Sequence, residues 1–177
     1  ALISMANRSY PLSISNVVFG IGPMINAAGR LDDAKNAVKL LLSEDKYEAK
    51  ENAEKLKYEN IKRKTFEKNI TQEALEQVRL NPNWRENKTI VLYGEDWHKG
   101  VIGIVASRCI EKYYRPTIIL TKSGNVLAGS ARSVLDFDVY DALEACESHL
   151  LQFGGHKYAA GMTLDEAQLP HFKKAFE

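Results

Sequence analysis

Thr117-Ile118-Ile119-Leu120-Thr121-Lys122-Ser123-Gly124-Asn125-Val126-Leu127-Ala128-Gly129-Ser130-Ala131-Arg132-Ser133 is the stretch on which the fold turns. Residues 117–120 are a β-branched run that opens a strand, Ser123-Gly124-Asn125 supplies turn residues, and 126–133 reads as the returning strand of a hairpin. Arg115-Pro116 stands before it and breaks a helix predicted over 100–114. That helix carries Ile102, Val105, Ala106, Cys109 and Tyr113 on one face and Val101, Ile104 and Ile110 on others, which predicts extensive burial. Further upstream, Thr89-Ile90-Val91-Leu92-Tyr93 is a compact strand. Downstream come a helix over 139–147, a loop at Gly154-Gly155-His156, a short segment to Thr163 and a final helix after Asp165. Strands alternating with helices make this an α/β fold with a mixed β-sheet flanked by helices.

The upstream third differs in character. From Asp45 to Arg79 there is no Gly or Pro, which predicts one helix of roughly 50 Å at 1.5 Å per residue. Its apolar residues are sparse, acids and bases number nine each from Glu44 to Arg79, and Glu51/Lys55 and Glu59/Arg63 have helix-pair spacing. Such a helix bridges domains or is supported by its own ion pairs. Before it, Asp32 or Asp33 is placed to cap a short helix whose apolar positions are Ala34, Ala37, Val38, Leu41 and Leu42. The run Val17-Val18-Phe19-Gly20-Ile21-Gly22-Pro23 predicts a strand, and Met24-Ile25-Asn26-Ala27-Ala28-Gly29-Arg30 a loop after it.

With 45% hydrophobic residues in 177, the chain can bury a core of one domain or two small ones. Lys and Arg number 24 against 23 Asp and Glu, so no global field draws the molecule onto a polyanion, and any nucleic-acid binding is local. Cys109 and Cys146 match no metal spacing and read as small core residues in a reducing compartment. Neither a secretion signal nor a membrane-length apolar run is present, and the expectation is a cytoplasmic chain with no membrane contact. Ala1 is no initiator and Glu177 falls within a predicted helix, so the sequence reads as part of a longer protein.

Four groups of residues bear on chemistry. Gly154 and Gly155 allow a close backbone approach to an anion, and His156 adds a titratable donor, although a tight turn with a structural His has the same pattern. Ser130 and Arg132 share one face of a period-two strand, with Ala131 and Ser133 on the other. A hydroxyl beside a guanidinium suits a phosphate as well as it suits a surface ion pair. Asn26-Ala27-Ala28-Gly29-Arg30 is a small-residue loop open to a ligand, or a helix-entry turn with a solvated Arg. Trp97-His98-Lys99 runs into a helix N-terminus, where Trp97 stacks on a base or covers the core edge. Asp136 and Asp138 read as helix-cap residues. His149 and His171 have no visible partner, and no carboxylate–histidine cluster for a two-metal centre is visible.

The order of these motifs is more informative than any one of them. Residues 22–31, the long charged helix, Trp97-His98 with Gly100-Val101-Ile102-Gly103, Arg115-Pro116, residues 129–133 and Gln152-Phe153-Gly154-Gly155-His156 with Ala159-Ala160-Gly161-Met162 resemble the RecJ-type single-stranded-DNA exonucleases. The resemblance covers nearly the whole chain. It implies that 1–31 is the tail of a metal-binding DHH domain, 32–86 a helical connector, and 87–177 a nucleic-acid-binding DHHA1 domain. The implied reaction is 5′-to-3′ hydrolysis of single-stranded DNA by metal-activated water, with Mn²⁺ or Mg²⁺ held upstream and none held by this portion, which is inactive by itself. By the same resemblance, His156 faces the metal centre as the catalytic group. Ser130, Arg132, Ser133, Gly154 and Gly155 contact the strand near its 5′ end, and Arg30 and Asn26 hold a phosphate from the other side. Met24 stands where a basic residue is expected. Phe153, in place of a first glycine, favours this family over the short-oligonucleotide and cyclic-dinucleotide phosphoesterases. A non-catalytic nucleic-acid-binding module is the reading from a different class.

Overall fold

The computed structural model describes residues 1–31 and 33–177. Two compact units divide the chain, Ala1–Phe66 and Glu67–Glu177, with the boundary inside one long helix.

The first unit is helical. Two short helices, α1 (Leu2–Met5) and α2 (Ile14–Asn16), lead through a π-helical turn at Val17–Ile21 into α3 (Gly22–Leu31). The strand and loop predicted over 17–30 are therefore helix. Gly22 N–H reaches back to the Val17 carbonyl, and Pro23, which has no N–H to donate, sits where the π register gives way to the α register. Helix α4 (Lys35–Leu42) follows, with the Asp33 carboxylate accepting from Lys35 N–H at 2.9 Å. Asp32, the other predicted cap, lies outside the described residues. The buried side of α4 is Ala37 and Leu40, whereas Val38, Leu41 and Leu42 face solvent, so its apolar stripe is narrower than the sequence pattern suggests. Ala28, Ala37, Leu40, Ala53 and Leu56 form this unit's core.

Helix α5 (Lys46–Leu80) is the long predicted helix. Asp45 starts it by accepting from the N–H groups of Tyr47 and Glu48 at 2.9 and 2.8 Å. Glu51 and Lys55 pair at 2.9 Å, and Arg63 Nε donates to Asn60 Oδ1 at 3.2 Å. Ala53 and Leu56 are buried in the first unit, and Ile70, Ala74 and Val78 in the second.

In the second unit, a five-stranded sheet is ordered β1-β2-β3-β5-β4. Strand β1 (Ile90–Tyr93) lies parallel to β2 (Thr117–Ser123), a pairing that needs a crossover, supplied by α6 (Ile102–Tyr113). Tyr114 ends α6 in the left-handed conformation, its N–H returning to the Ile110 carbonyl. β2 turns through Gly124, at φ +63°, into β3 (Val126–Arg132). Helix α7 (Val139–Glu144), β4 (Gln152–His156), β5 (Ala159–Leu164) and α8 (Leu169–Phe176) complete the unit. Asp138 caps α7 as predicted, accepting from Tyr140 N–H at 2.9 Å.

One face of this sheet carries Ile118, Leu120, Leu127, Ala131, Ala160, Met162 and Leu164, packed with Val139, Leu143, Phe172 and Phe176 of α7 and α8. The other face is covered only in part, by α6 over β2 and β3. Cys109 and Cys146 are buried, in keeping with their reading as core residues.

Candidate functional site

Strand alternation and register decide what the partly covered face presents. Ser130 lies opposite Gly161, which lies opposite Gly154, and Arg132 opposite Ala159, which lies opposite His156. Side chains of paired residues share a face, so Ser130, Arg132 and His156 emerge together, two strands apart, across a floor of Gly161, Ala159 and Gly154. That floor is bare by composition. A Cβ added at Gly154 would meet nothing within 4 Å, and one at Gly161 only the Gly129 carbonyl at 3.8 Å. The glycines leave the backbone open to whatever lies on it.

Gly154-Gly155-His156 is therefore no loop. It belongs to edge strand β4, returned by Lys157-Tyr158 into β5. Gly155 is required there by its φ of +153° and because a Cβ would lie 2.4 Å from the Ala159 carbonyl oxygen. His156 is exposed, and its Nδ1 accepts from Tyr158 N–H at 3.3 Å, so the neutral ring carries its proton on Nε2 as an outward donor.

Arg132 donates to Ser130 Oγ at 3.0 Å and to the Ala131 carbonyl at 2.7 Å, which holds the guanidinium beside the hydroxyl. Helix α6 is pressed onto this pair at Gly103, where a Cβ would lie 2.7 Å from Arg132 Nη2 and 2.8 Å from Ser130 Oγ. Between the start of α6 and the β3-β5-β4 strip is a concavity of about 340 Å³, lined by Lys99, Ile102, Ser130, Gln152, Gly154 and Thr163 among others. Lys99 brings a cation to its wall. Gln152 and Thr163 pair across strands in the row next to Ser130–Gly161–Gly154 and flank the same floor. The signal that finds Gln152 is plain period-two counting from Gly154, invisible while the segment is read as a loop.

Two candidate residues fall away. Trp97 is only 6% exposed, its Nε1 donates to Glu73 Oε2 at 2.7 Å, and its ring lies against Gly94, so no ring face is offered to a base. Ser133 donates its single hydroxyl proton to the Phe137 carbonyl at 2.6 Å, tying down the segment after β3 and leaving no donor for a phosphate.

In the first unit, Asn26 and Arg30 are exposed and four residues apart on α3, hence neighbours on one helix face, while Ala27 and Ala28 are buried. Met24 is buried too, which places its side chain in packing. His149 and His171, without visible partners in the sequence, stack at 6.2 Å between centroids, and His149 Nδ1 meets Gln168 Oε1 at 3.1 Å. Among the described residues, no group of three or more His, Cys, Asp or Glu is placed to hold a metal ion. Among the described residues, no helix is long and apolar enough to cross a membrane.

The DHHA1 domain matches residues 86–177, more than half of the chain. The chain belongs to the DHHA1 domain family. Its relatives agree in kind. The single-stranded-DNA-specific exonuclease RecJ of Escherichia coli is 38% identical over 184 residues, which span 99% of this chain and 32% of the relative. The protein of that name from Thermus thermophilus is 40% identical over 161 residues, spanning 91% of this chain and 23% of the relative. The crystal structure of Thermus thermophilus RecJ with Mg²⁺ superposes with a TM-score of 0.88 at 37% identity, covering 99% of this chain and 27% of that one. Exonuclease RecJ bound to manganese gives a TM-score of 0.85 at 38% identity, covering 99% of this chain and 43% of that one. The DHHA1 chain thus spans about a third or less of the curated relatives it matches and corresponds to their DHHA1 region together with the helices before it.

Proposed function

We propose that this chain is the strand-binding portion of a metal-dependent, 5′-to-3′ single-stranded-DNA exonuclease of the cytoplasm. In this reading, residues 1–31 are the tail of a DHH domain, 32–86 the connector and 87–177 the DHHA1 domain. The observation that carries it is the row of Ser130, Arg132 and His156 along a glycine floor. A sugar–phosphate backbone laid on bare peptide is met by a guanidinium and a hydroxyl on one side and an imidazole donor on the other. Arg132 takes a phosphate through paired charge-assisted bonds, Ser130 adds a neutral donor, and His156 offers Nε2–H to charge developing near the 5′ end. Asn26 and Arg30 hold a further phosphate from α3.

In the whole enzyme Mn²⁺ or Mg²⁺ held upstream would supply the activated water. Among the described residues no ligand set for it is present, so the hydrolytic step is not assigned to their side chains. The test compares turnover of a long single-stranded DNA with that of a dinucleotide by the full-length protein. A clear preference for the long strand supports the reading, and a preference for the dinucleotide replaces it with a short-oligonucleotide phosphoesterase.

A further inference from the structure

Helix α5 carries nine basic and seven acidic residues, and part of its basic charge is segregated along one side. At about 100° per residue, Lys46, Lys50, Lys57 and Lys64 fall within about 40° of one another around the helix and extend along roughly 27 Å of it. All four are exposed, and none has an ion partner among the described residues. Elsewhere on the chain, Lys55 pairs with Glu51 at 2.9 Å, Lys35 with Asp33 at 3.7 Å, and Lys122 with Glu95 at 3.5 Å. Among the acids of α5 in the first unit, Glu54 lies about 40° beyond the edge of the lysine arc, and Glu48, Glu51 and Glu59 are about 100° or more away. On the opposite edge of the lysines is the buried line of Ala53, Leu56 and Asn60.

Exposed ring and aliphatic surface adjoins these lysines on the solvent side: Tyr47 and Ile61 are more than half exposed, as is Tyr58 further round the helix, whose ring carries Lys62 Nζ at 5.7 Å from its centroid. A solubilising face has no need of large apolar side chains beside its charges. Cations in line with exposed rings are what a single-stranded nucleic acid uses, its phosphates on the ammonium groups and its bases on the rings.

We propose that the Lys46/Lys50/Lys57/Lys64 line of α5 is a second binding surface for single-stranded DNA, tracking its backbone without reading sequence. The reading of the chain as part of a DNA exonuclease supplies only the identity of the strand; the surface itself rests on α5. Ammonium groups act here as separate point charges, so the contact is electrostatic and strongly salt-dependent.

The experiment measures binding of a long single-stranded oligonucleotide by the full-length protein across a salt series. Four variants are compared: all four lysines to Gln, all four to Arg, a control with Lys35, Lys55, Lys122 and Lys174 to Gln, and Arg132→Ala. Each single-strand phosphate contact contributes about 0.7 to the slope of log K against log salt, so the stripe-to-Gln protein is expected to lose about 2 to 3 from it. Its affinity at moderate salt falls at least about tenfold. The Arg version keeps the slope, and the control, with the same change in net charge, is as the parent. Equal behaviour of the stripe and control Gln proteins overturns the proposal. If Arg132→Ala weakens binding while the stripe variant does not, the second surface alone is wrong; if neither weakens it, the nucleic-acid reading falls with it.

Discussion

The Arg132 guanidinium and the Ser130 hydroxyl are joined at 3.0 Å, and α6 closes over the pair at Gly103 with no room for a methyl group. The two side chains leave β3 on the same face, so the strand sets their spacing and the helix sets their orientation. The pair is thus preorganised on two rigid elements.

Gly103→Ala tests that dependence. The added Cβ must displace the ends of Arg132 and Ser130, while the helix gains up to about 1 kcal/mol of propensity. Because displacing the bonded Arg132–Ser130 pair offsets that gain, the expected outcome is a melting temperature unchanged or modestly lowered, with single-stranded-DNA affinity in the full-length protein reduced about tenfold. Unchanged affinity would show that the placement of the pair does not matter.

The two glycines of β4 separate conformation from access. Gly155→Ala meets the Ala159 carbonyl and Ala160 Cα at 2.4 and 2.5 Å from a strained φ, and is expected to cost about 2 kcal/mol or more of stability in chemical denaturation. Gly154→Ala meets nothing and stays within about 0.5 kcal/mol of the parent. Its effect appears instead in DNA affinity, because the methyl group rises from the floor on which the strand lies.

Trp97→Phe removes the bond to Glu73 and part of a buried ring, and is expected to destabilise by about 1–3 kcal/mol. DNA affinity of the folded protein stays as it was. A selective loss of binding at full stability would restore the stacking role that burial argues against.

These predictions follow the line between what the sequence makes legible and what it does not. The β2–β3 hairpin is legible because its turn chemistry is local, with Gly124 at positive φ between two apolar runs. Asp138 is legible as a cap because capping reaches only two or three residues. Strand β4 is not, since glycine favours no strand and its identity comes from register with β5, a pairing outside its own sequence. The same dependence hid Gln152, and the wall formed with Lys99 follows only from where α6 begins. Residues 17–21 fail in the opposite sense, a β-branched run carried into helix by its neighbours.

Burial pushes the Cys109 thiol up to about 11 from 9.0. A folded-state value above the unfolded one means that the protonated thiol favours the folded state fully below pH 9, and that this contribution is lost as pH rises through about 11. Stability is therefore expected to decline over that alkaline window, with Cys109→Ala showing a shallower decline. At pH 8 the thiol resists alkylation until the protein unfolds; rapid modification of the native protein would show that the site is open.

The central claim is that Arg132 and Ser130 hold the phosphate backbone of a single strand near its 5′ end. Its most direct test is equilibrium binding of a 5′-phosphorylated single-stranded oligonucleotide by the full-length protein and its Arg132→Ala variant at fixed salt. Loss of a charge-assisted contact predicts a cost of about 1.5–3 kcal/mol, roughly a 10- to 150-fold weaker Kd, with the fold intact by circular dichroism. An unchanged Kd would contradict it.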